Sequence, residues 1–202
     1  MRRRSIIPKT TLGHLPSRVT CSSSILAAPS TLKKHFGDRK GTLVPQMVDA
    51  LSIPVIASGG IMDGRGLAAA LVLGAEAAQM GTAFLACEES GAHPEFKRAV
   101  LEAAEDETSV TRAFSGRAAR GIKNRFLLEV GDHEEELPPF PIQNALTKDV
   151  RAAAQRQDRP EYMSLWAGQG VRLARSANAA ELVGSVVEEA QTILRELARG
   201  VT

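Results

Sequence analysis

Two glycine-bearing turns, Gly59-Gly60 and Gly81-Thr82, each follow a short apolar run and stand about 20 residues apart. A glycine turn at the carboxyl end of a strand brings backbone N–H groups close to an outside ligand, because no Cβ blocks the approach and positive φ is accessible. A helix that follows such a turn adds N–H donors and the positive end of its dipole. Two neighbouring strands that both end this way can hold one phosphate between them, with Thr82 adding a hydroxyl. Taken singly, Gly59, Gly60, Gly64 and Gly66 read as turn punctuation. Their repeated placement after two apolar runs is what favours an anion site. A third glycine turn, Ala167 to Gly170 (AGQG), is a further candidate for approaching that anion.

The other chemistry-bearing side chains form weaker patterns. His93 precedes Pro94 and fits a helix start, with no partners at metal-ligand spacing. His133 lies in the acidic stretch GDHEEELPPFP, which reads as solvated. Cys87 is followed by Glu88 and Glu89, which disfavour a thiolate. Arg112, Arg117, Arg120, Lys123 and Arg125 form a basic cluster beside Gly116 and Gly121.

Elements that would position the glycine turns can be read around them. LVPQMVDALS has apolar residues at helical spacing, Leu43, Val44, Met47, Val48 and Leu51. IPVIA is short and β-branched, as a buried parallel strand would be. GRGLAAALVLGA predicts a helix that stops at Gly74. AEAAQM predicts a second strand, although alanine is a poor strand former. HPEFKRAVLEAAED predicts an amphipathic helix with Pro94 in its first turn. TSVTRAF alternates like a third strand, and VRLARSANAAELVGSVVEEAQTILREL predicts a C-terminal helix burying Leu182, Val183, Val186, Val187 and Ala190. The alternation of helix and strand argues for an α/β fold with a parallel sheet.

Composition bounds the rest. The 202 residues suit one domain or part of a larger one, and 44% hydrophobic residues against 4% aromatic predict a core of Ala, Val, Leu and Ile. A net charge of +2 gives no argument for nucleic acid, and no apolar run is long enough for a membrane span. Cys21 and Cys87 form neither a disulfide framework nor a CxxC pair, which fits a reducing, cytoplasmic setting. Residues 1–34 hold seven of the 25 Lys and Arg and none of the 23 Asp and Glu. That segment reads as a disordered or foreign leader, with a mitochondrial transit peptide as the alternative.

The stretch from Leu43 to Ala103 resembles the nitronate monooxygenase family, formerly called 2-nitropropane dioxygenases. The carriers are GGI.DGRG, then QMGT, then E.S..HP, with looser likeness through FSGRAARGIKNRF and LWAGQGVRLAR. Flavin-dependent enoyl-ACP reductases are similar over the same motifs. The resemblance implies a TIM (β/α)8 barrel binding FMN, which oxidises alkyl nitronates or nitroalkanes with O2. It assigns Gly59, Gly60, Gln79, Met80, Gly81 and Thr82 to the FMN phosphate. The family element Gly-Gly-His-x-Gly aligns with LKKHFGDRKGTLVPQ, matching His35 and Gly37, while Lys33 and Lys34 replace the leading glycines. His35 would then be a general base acting α to a nitro group, or a donor near the flavin N5 region, roles suited to imidazole; Gly37 would line the cofactor. A complete barrel needs about 250 residues. The expectation is therefore a truncated, partial barrel over residues 35–202, its C-terminal strands and helices retained, with a small cap at about residues 114–165. The alternatives are an enoyl-ACP reductase-like enzyme and a remnant that holds no flavin.

Overall fold

The structure is a computed structural model and describes residues 40–200. Helix α1 (Lys40–Ala50) leads into strand β1 (Ile56–Ser58), helix α2 (Gly64–Val72) and strand β2 (Ala77–Gln79). A four-residue helix α3 (Thr82–Leu85) follows, then α4 (Pro94–Glu102). Strands β3 (Thr108–Thr111) and β4 (Ala119–Ile122) come next, then helices α5 (Arg125–Gly131), α6 (Ile142–Leu146) and α7 (Lys148–Arg156). The long helix α8 (Ala179–Gly200) closes the described residues. The helices and strands expected from periodicity are present, except that the C-terminal helix starts at Ala179 and not within VRLARSAN; α8 buries Leu182, Val186 and Ala190, with Val183 and Val187 half-buried.

The strands form two separate pairs. β1 and β2 are parallel, with Ile56, Ala57 and Ser58 opposite Ala77, Ala78 and Gln79. β3 and β4 are antiparallel, running from Thr108 opposite Ile122 to Thr111 opposite Ala119. TSVT is therefore a strand, but it belongs to a hairpin and not to the parallel sheet. Among the described residues there is no closed barrel, and the parallel part of the expected partial barrel is the β1–β2 pair. The hairpin gains a third edge from the segment after α7. Ile122 N–H donates to Leu165 O at 2.8 Å, Ala167 N–H donates to Arg120 O at 3.2 Å, and Gly121 bridges Trp166.

The β1–α2–β2 unit ends and begins on identifiable caps. Gly74 adopts φ 96°, its N–H donates to Leu71 O, and Ala75 N–H donates to Ala70 O, both at 3.0 Å. These are the paired bonds of a Schellman stop, which need a left-handed residue at Gly74. Glu76 N–H then donates to Val55 O at 2.8 Å, aligning β2 beside β1. At the other end Asp63 caps α2, its Oδ1 accepting from Gly66 N–H at 3.1 Å while Oδ2 pairs with Arg65. Helix α8 adds a second cap, because Glu189 Oε2 accepts from Gly64 N–H at 2.8 Å. The two helices touch so closely that a Cβ at Gly64 would lie 2.5 Å from Ala190 N and 2.7 Å from Val186 O.

Backbone atoms cannot yield as a flexible side chain can, so Gly64→Ala is expected to destabilise the fold by about 2–3 kcal/mol. Gly184, on the same helix α8, faces open space. Gly184→Ala should instead stabilise by about 0.5–1 kcal/mol through helix propensity. Denaturant unfolding of the two variants checks the opposite signs.

Asp63 gives a pH signature. Its partial burial raises the carboxyl pKa, but the Arg65 hydrogen bond and the Gly66 amide outweigh that and hold it below 3.8. A depressed folded value means the carboxylate stabilises the fold above pH 3.8 and loses that contribution as pH falls through the folded value. Asn keeps the cap but not the charge. The Tm gap between wild type and Asp63→Asn should therefore be largest near neutrality and narrow as pH falls below 3.8.

Candidate functional site

The parallel register places the two glycine turns side by side. Ser58 and Gln79 are opposite each other as the last residues of β1 and β2, so Gly59-Gly60 and Met80-Gly81-Thr82 leave the sheet at the same end. Gly59 and Gly60 take φ of 105° and 69°, so glycine is required there by conformation. Gly81 does not need that freedom, since its φ is −110°. Its contribution is space: a Cβ added at Gly60 or at Gly81 meets nothing within 4 Å. The space beside both turns, where side chains would otherwise stand, is therefore open.

The third turn arrives as the sequence suggested. Gly168 N–H donates to Thr82 Oγ1 at 2.9 Å. A Cβ at Gly168 would lie 3.5 Å from Thr82 Oγ1 and 3.9 Å from Gly60 N. A Cβ at Gly170 would lie 2.6 Å from Met62 Cγ and 3.1 Å from Gly60 O. Three chain segments, separated by more than 20 and more than 80 residues, thus converge on Gly60 and Thr82. A hydroxyl that accepts one bond still has a proton to give, so Thr82 can serve Gly168 and an anion together.

One expected donor group is spent elsewhere. The N-terminus of α2 was expected to present N–H groups to the anion. Its Gly64 amide is bound by Glu189 and its Gly66 amide by Asp63, while Leu67 N–H donates to Asp63 O at 3.2 Å. The turn ahead of α2, rather than its first turn, is what faces the hollow. The Asp63 cap is legible from an aspartate three residues before Gly66. Glu189 is 125 residues away from its partner, and nothing local announces it.

The remaining candidates separate from this site. Met80 is 2% exposed and packs with Met62, Ala83, Cys87, Leu182 and Val186, so only its main chain can meet a ligand. Gln79 ends β2 beside Ser58. Cys87 is buried in that same cluster, its Sγ 3.9 Å from Ala83 O. The E.S..HP stretch builds a joint instead of lining the hollow. Ser90 Oγ accepts from Ala92 N–H, and His93 caps α4 through Nδ1 while its Nε2 lies 3.3 Å from Asp158. Glu89 in the same stretch accepts the Ala179 amide that begins α8. His133 is exposed and lies 3.4 Å from Glu136. In the basic cluster, Arg120 donates to Thr108 O, Arg112 donates to Gly116 O, Arg125 pairs with Glu129, and Arg117 stacks on Phe140. Among the described residues no group of three or more His, Cys, Asp or Glu is arranged to hold a metal. No helix among them is long and apolar enough to cross a membrane. His35 and Gly37 lie outside the described residues.

The family model for nitronate monooxygenase matches residues 31–189. A probable nitronate monooxygenase of Staphylococcus haemolyticus is 48% identical over 153 residues, which is 76% of this chain and 43% of that protein. One from Staphylococcus aureus strain MSSA476 is 47% identical over 154 residues, with the same coverage of each chain. The structure is similar to nitroalkane oxidase from Streptomyces ansochromogenes, with TM-score 0.76 and 42% identity over 84% of this chain and 48% of that one. It is also similar to FabK from Thermotoga maritima, with TM-score 0.70 and 34% identity over 81% of this chain and 52% of that one. The chain spans about half the length of the relatives it matches. The family match runs through both strands of the parallel pair, all three glycine turns and on to Glu189 in α8, and by it this chain belongs to the nitronate monooxygenase family.

Proposed function

We propose that this chain is an FMN-dependent oxidoreductase of the nitronate monooxygenase type, with the FMN phosphate seated between the Gly59-Gly60 and Gly81-Thr82 turns. The observation that carries the reading is the Ser58–Gln79 register, which sets both turns at one strand end. The fit is chemical as well as spatial. A phosphate monoester needs several short donors around it, and backbone amides at glycine turns supply them where no Cβ intervenes. Both Gly60 and Gly81 leave that approach open, and the Thr82 hydroxyl stands beside them. Gln79 and Met80 contribute through main-chain position at the end of β2, and Gly37 lines the cofactor further along.

In this reading β1 and β2 are neighbouring strands of a (β/α)8 barrel, and residues 114–165 form a cap beside it. Held by these turns, FMN would supply the redox chemistry between substrate and O2. The protein supplies placement, an anion seat and a base. His35 takes the proton α to the nitro group of a nitroalkane, turning it into the nitronate; an imidazole near neutrality suits that transfer. Substrates are small nitronates or nitroalkanes. The motifs shared with flavin-dependent enoyl-ACP reductases support a second reading, which NAD(P)H oxidation by an enoyl thioester would favour.

The full chain, purified and incubated with FMN, should show a stoichiometric flavin absorbance spectrum and consume O2 with an alkyl nitronate or nitroalkane. His35→Ala should keep the flavin and lower nitroalkane turnover by about a hundredfold or more. A chain that takes up no flavin would instead support the remnant reading, and unchanged turnover in the variant would remove His35 from the chemistry.

A further inference from the structure

Gly168 stands where the anion seat meets the hairpin layer. Its N–H is held by Thr82 Oγ1 at 2.9 Å, which fixes its position relative to α3. Nearby Gly170 stands against the back of the first turn, where a Cβ would lie 2.6 Å from Met62 Cγ and 3.1 Å from Gly60 O. The segment 168–170 is therefore not a passing loop; it is clasped to both turns. Yet Gly168 itself is not crowded, and φ there is not in the left-handed region. A Cβ would be in ordinary van der Waals contact, 3.5 Å from the Thr82 hydroxyl and 3.9 Å from the Gly60 amide. Neither backbone conformation nor packing requires glycine at this position. What a side chain would do is stand within reach of two of the groups that serve an anion.

We infer that Gly168 is a third rim of the seat, a positioning residue whose missing side chain leaves room for a phosphate monoester between the Gly60 amide and the Thr82 hydroxyl. This rests on the FMN reading above and deepens it. The backbone amide of Gly168 holds the Thr82 oxygen as acceptor, so the hydroxyl proton is left to point at the ligand. The hydrogen carried by Gly168 in place of a methyl group keeps the mouth of the hollow clear. The selection acts on the phosphate alone, because the contacts concern only the two turns and not any ring-binding surface.

The test compares FMN, riboflavin and inorganic phosphate binding to the full chain and to Gly168→Ala, by flavin fluorescence quenching and by phosphate competition. The wild-type chain should bind FMN more tightly than riboflavin, and phosphate should compete with FMN. Gly168→Ala should keep its Tm to within a few degrees, since the added atom fits. It should lose about tenfold or more in FMN affinity, the cost of disturbing charge-assisted donors, while riboflavin affinity stays unchanged. Gly168→Val, with a larger obstruction at the same point, should lose more of the FMN preference. A wild-type preference for FMN that survives intact in both variants overturns the role of Gly168 and leaves the FMN reading standing. Equal loss of FMN and riboflavin affinity also overturns it, because obstruction of the phosphate alone cannot do that. A wild-type chain with no preference for FMN over riboflavin removes the FMN reading and this inference together.

Discussion

The pairing of two three-residue strands is the constraint on which the site depends. β1 and β2 share only three opposed pairs, ending at Ser58 and Gln79. In a sheet, a slip of one residue sends every side chain to the other face. Here it would also stagger the two glycine turns and separate Gly60 from Thr82. So short a ladder does not hold its own register. The Schellman stop at Gly74 and the Glu76–Val55 hydrogen bond fix where β2 begins, and α8 pins α2 by its first amide. The long C-terminal helix supports the candidate seat from behind, by packing Leu182 and Val186 against Met80 and by fixing the helix that joins the two strands.

Glycine has distinct jobs here that a single explanation would blur. Gly59, Gly60 and Gly74 need positive φ. Gly64 needs closeness, because the backbone of α8 occupies the place of its Cβ. Gly81 needs neither and leaves the hollow open. The donor assignment follows from this division. The general expectation puts an anion on the helix N-terminus, but the amides of Gly64 and Gly66 are already taken by Glu189 and Asp63. Close helix packing at Gly64 and anion binding by α2 are competing uses of the same end of the helix. This fold uses it for packing, so the candidate donors are those of the turn one step earlier.

Much of this was legible in the sequence. Apolar spacing of 3.6 marked α1, α2, α4 and α8, and glycine placement singled out the two turns that the β1–β2 register sets side by side. The direction of β3 was not legible, because alternation reports which face is buried and says nothing about the partner. TSVT alternates equally well in a hairpin, and its partner ARGI, with an arginine and a glycine among four residues, lacks a strand signature. The helices between Arg125 and Arg156 were hidden by short length and by polar flanks. Their fixings are long-range: Gln143 donates to Ala113 O and Thr147 to Phe114 O, both buried, while Asn124 caps α5 and reaches Pro160 O and Met163 O. The E.S..HP stretch marked the family but not a ligand contact. Its residues fasten α4 and the start of α8, so a motif can be specific to a family for reasons of architecture.

The two sheets do not pair with each other, so something else must hold the glycine layer to the hairpin layer. Helix α3 and the residues after it do so by burying both sides. Ala83 and Cys87 pack into the cluster with Met62, Met80, Leu182 and Val186. Ala86, with Leu85 beside it, packs into the other cluster with Val100, Ile122, Leu165 and Val171. Thr82 opens this wedge, and its side chain receives Gly168. Gly168 in turn continues the strand-like segment that closes the edge of β4 at Ala167. A shift of the hairpin relative to the parallel pair must therefore either break the Thr82–Gly168 bond or drag α3 through two packed cores. Interiors at near-crystalline density resist that movement. The hydroxyl at the centre of the candidate seat is thus fixed from both layers at once, although it belongs to a helix of only four residues.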